Sequence, residues 1–67
     1  MTAGESELQM CVRHVAEQET RIVRQEALIE RLRKVGVPVD DASRLLAEMN
    51  DLLKTMHEHV VRLRPQS

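Results

Sequence analysis

The segment Val35-Gly36-Val37-Pro38-Val39 constrains this chain most, because long amphipathic stretches run up to it and away from it. Gly36 can take the left-handed conformation that ends a helix, since it has no Cβ to clash. Placed just past the last helical turn, it brings Val37 against Leu32, the apolar contact that accompanies such a stop. Pro38 then blocks a return to helix, since it lacks an N–H and pushes Val37 toward extended geometry. Asp40 or Asp41 is expected to accept from the free N–H groups of the next turn, where a carboxylate also suits the helix dipole. Two helices joined by so short a connection must lie antiparallel. The expected fold is therefore an all-α helical hairpin in a single domain spanning 1–67: a helix over about 7–35, a turn over 36–40, a second helix over about 41–63, and frayed tails at 1–5 and 64–67.

In the first half, Leu8, Val15, Ile22 and Ile29 recur seven apart, and Cys11 and Leu32 hold the intervening seam position. That period is the seam of a coiled helix pair. Gln18 and Gln25 complete the seam as polar residues, a device that lowers stability and fixes register or partner number. Thr2 with Glu5 and Ser6 with Gln9 both match the spacing of a capping box. The second half carries a wider stripe of Ala42, Leu45, Leu46, Met49, Leu52, Leu53, Met56, Val60 and Leu63, with His59 inside it. A stripe of three residues per heptad is the face of a bundle helix.

Equal rise on both sides of the turn puts residue i level with roughly residue 75 − i. Leu32 then meets Ala42, Ile29 meets Leu45 and Leu46, Ile22 meets Leu52 and Leu53, and Val15 meets Val60. His59, among Val15, Met56 and Val60, is expected as a buried neutral imidazole bonded to Gln18 or to its two-fold mate, since a charged ring there would be costly to desolvate. On the outer faces Glu17 with Arg21, Glu30 with Lys34 and Glu58 with Arg62 fall at i,i+4, a spacing that supports helicity.

A chain of 67 residues without Phe, Tyr or Trp has little with which to build a core, and each helix of a lone hairpin has one neighbour. A homodimer is expected, two hairpins burying the open side of each stripe in a four-helix bundle. The core and dimer stripe would be Leu8, Val15, Ile22, Ile29 and Leu32 on the first helix, and Leu45, Met49, Leu52, Met56, His59 and Leu63 on the second. A further protein partner could use the same stripe if Met49 and Met56 were open.

Ten Lys plus Arg against eleven Asp plus Glu give a net charge of −1, so nucleic-acid binding would need a local patch. Arg13, Arg24, Arg31 and Lys34 form one such row on the outer face of the first helix, with Glu17 its only acid. Without an aromatic residue to stack on bases, a solvated face is the simpler reading. The acidic start lacks the pattern of a secretory signal, no apolar run is long enough for a membrane span, and the single Cys11 fits a reducing compartment. A cytoplasmic protein with no membrane attachment is expected.

Cys11, His14, His57 and His59 gather at the end away from the turn, but His57 and His59 are two apart and point to nearly opposite sides of a helix. No metal, cofactor or catalytic residue is assigned, since neither tight ligand spacing nor a phosphate loop nor a nucleophile with its base is present.

The stretch from Ala16 to Leu32, with Leu45-Leu46 and His59-Val60-Val61-Arg62-Leu63 after it, resembles short two-helix proteins of soil alphaproteobacteria, most of them uncharacterised. The resemblance implies a bacterial cytoplasmic protein and supplies no site residues. The architecture is also similar to dimeric ROP-type hairpins, which bind RNA through a helical face. The expected role is a small non-enzymatic, self-associating interaction or regulatory protein, with an RNA-binding regulator using the basic row as the alternative.

Overall fold

The computed structural model describes residues 6–64 and consists there of two helices, α1 (Glu7–Lys34) and α2 (Asp40–Leu63), packed as an antiparallel hairpin. No strand occurs among the described residues. Both helices fall within a residue of the boundaries read from the sequence. α1 has 28 residues and is about 42 Å long at 1.5 Å per residue.

Ser6 caps α1. Its hydroxyl accepts from the Gln9 N–H at 3.1 Å, and the Gln9 side chain accepts from the Ser6 N–H at 3.0 Å, both halves of the expected capping box. Thr2 and Glu5 lie outside the described residues. At the other end Gly36 adopts φ +78°, with its N–H bonded to the Arg33 carbonyl at 3.1 Å and the Val37 N–H bonded to the Leu32 carbonyl at 3.0 Å. These are the two bonds of a Schellman stop, which satisfy carbonyls the helix end would leave open.

The start of α2 differs from expectation. Val39 is the capping residue and no side chain caps the helix, because Asp40 and Asp41 already lie inside its first turn. There they still complement the dipole, but neither accepts the free amides as an N-cap would. The surface pairing differs too: Glu17 engages Arg13 at 3.3 Å, four residues before it, in place of Arg21.

One seam holds the helices together. On α1, Val15, Gln18, Ile22 and Ile29 are buried, with Leu8, Cys11, Gln25 and Leu32 half-buried at the remaining seam positions. On α2 only Val60 is buried, while Ala42, Leu46, Met49, Leu53, Met56 and Leu63 are half-buried along the same alternating spacing of three and four. A two-helix contact covers a narrow stripe, and no described side chain is fully enclosed.

The two seam glutamines report the register. Gln18 Nε2 donates to the Met49 carbonyl at 3.0 Å, and Gln25 Nε2 donates to the Ala42 carbonyl at 2.9 Å. The bonds repeat one heptad apart on each helix in opposite directions, as an antiparallel pair requires. Equal rise about the turn would put Gln18 level with about residue 57 and Gln25 level with about residue 50, so both amides reach carbonyls about eight residues nearer the loop than that level. Ile29 lies beside Ser43 as well as Leu46.

Candidate interaction face

The narrow seam divides the hairpin into two open flanks, and their chemistry differs. Leu45, Leu52 and His59 follow one another at seven-residue steps along α2, immediately beside the seam residues Leu46, Leu53 and Val60. His14 shares a surface groove with His59, and Arg21 shares the next groove with Leu52, so these rows lie on the same flank. Leu28, seven residues beyond Arg21, continues the α1 row toward the turn. Leu45 and Leu52 keep 47% and 52% of their surface exposed, and Leu28 keeps 37%.

The opposite flank carries more charge but is not wholly polar. Glu19 reaches His57 across the helices at 4.0 Å, and a groove there is lined by Glu26, Glu30, Arg33 and Ser43 with Ile29 and Leu46. Val12, in the same seven-residue row as Glu19, Glu26 and Arg33, is 50% exposed there.

In the single hairpin Leu45, Leu52 and His59, expected on the core and dimer stripe, are exposed, and the Gln18 amide bonds to the Met49 carbonyl in place of His59. Counting three apolar residues per heptad treats the flank as core, whereas one neighbouring helix covers only the seam. Val15, Ile22 and Ile29 are buried as expected, and Leu8, Leu32, Met49, Met56 and Leu63 are half-buried in the seam.

The area exposed by the chain is large for its size. It totals 5479 Å², against roughly 4,300 Å² for a compact monomer of 7.7 kDa on the usual mass scaling.

At the open end, Cys11, His14, Thr55, Met56 and His59 line a groove of about 230 Å³. Cys11 is a free, half-buried thiol there. Among the described residues of one chain, no group of three or more His, Cys, Asp or Glu side chains converges closely enough to hold a metal ion. Of the basic row, Arg24, Arg31 and Lys34 are exposed on the face away from the seam, and Arg13 is engaged by Glu17. No described helix is long and apolar enough to cross a membrane.

No protein-family model, curated protein or solved structure matches the chain.

Proposed function

We propose that the protein is a self-associating helical hairpin, which dimerises through its leucine flank into a four-helix bundle and serves as a small, non-enzymatic interaction or regulatory module of the cytoplasm. The observation that carries this reading is the row of exposed leucines, Leu28, Leu45 and Leu52, that one neighbouring helix leaves uncovered beside the seam. A third and fourth helix laid on the leucine flank would turn the half-buried seam into a bundle interior.

Light scattering after size exclusion at micromolar concentration tests it. At least twice the 7.7 kDa chain mass is expected. The double substitution Leu45→Glu with Leu52→Glu places two charges on the flank and should return the mass to that of one chain. A native chain that is fully helical and runs as a single-chain species overturns the reading.

A further inference from the structure

We draw no further inference here: the strongest candidate, the groove at the open end of the hairpin where Cys11 lies with His14 and His59, rests on a lone cysteine, with neither a metal-holding group nor a buried side-chain polar atom without a partner among the described residues to point to a ligand.

Discussion

Gln18 is the least exposed residue of the described hairpin, at 4%, and it is polar, which makes Gln18→Leu an informative perturbation. The amide donates to the Met49 carbonyl at 3.0 Å from within the seam. That carbonyl lies within α2, where the N–H four residues on also bonds to it, so removing the glutamine leaves no orphaned acceptor. The loss is then one neutral hydrogen bond, about 0.5–1.5 kcal/mol net. Against it, leucine adds about two buried carbons beyond the methylenes that glutamine already buries, worth about 0.8 kcal/mol each. The balance favours leucine by up to about 1 kcal/mol, which raises the melting temperature of a chain this size by up to roughly 4–8 °C. Gln18→Ala loses the hydrogen bond and leaves a gap, so it should lower stability by about 1–2 kcal/mol. Circular dichroism melts and urea titrations at one fixed protein concentration give both numbers, since self-association makes the midpoint concentration-dependent. Stability should rise again in Gln18→Leu with Gln25→Leu, but register should loosen, because both amide bonds across the seam are then lost. If Gln18→Leu lowers stability by about 1 kcal/mol or more, the amide contributes far more than a neutral hydrogen bond, and the seam is not held mainly by apolar burial.

Gly36→Ala should cost about 1 kcal/mol from the positive φ alone, since nothing lies within 4 Å of where its Cβ would stand. A loss well above about 3 kcal/mol in urea titration would mean that the stop motif does more than reverse the chain. Arg24→Glu with Arg31→Glu should leave helicity unchanged, both being exposed. A gel-shift series with a mixed RNA and DNA pool at low salt checks the nucleic-acid alternative. Salt-sensitive binding by the native chain, abolished in this variant, would replace a solvated face with a phosphate-binding one.

The two helices and their ends were legible in the amino acids alone. The Ser6–Gln9 box and the Gly36–Val37 stop are local arrangements, completed by residues within five positions of one another, so they are readable without knowing what packs against them. The heptad spacing of Leu8, Val15, Ile22 and Ile29 likewise identified the face of α1 that turns inward. Whatever depends on a second helix came only with the packed hairpin: the carbonyls that the seam glutamines reach, and the width of the buried stripe. Leu52 and Leu53 are adjacent leucines on one helix, and composition cannot say which is seam and which is flank. Only the direction from which α1 approaches does so, leaving Leu53 half-buried and Leu52 open to water. His59 beside Val60 follows the same rule, and its place in a groove with His14 and Cys11, rather than in the core, is a consequence of that approach.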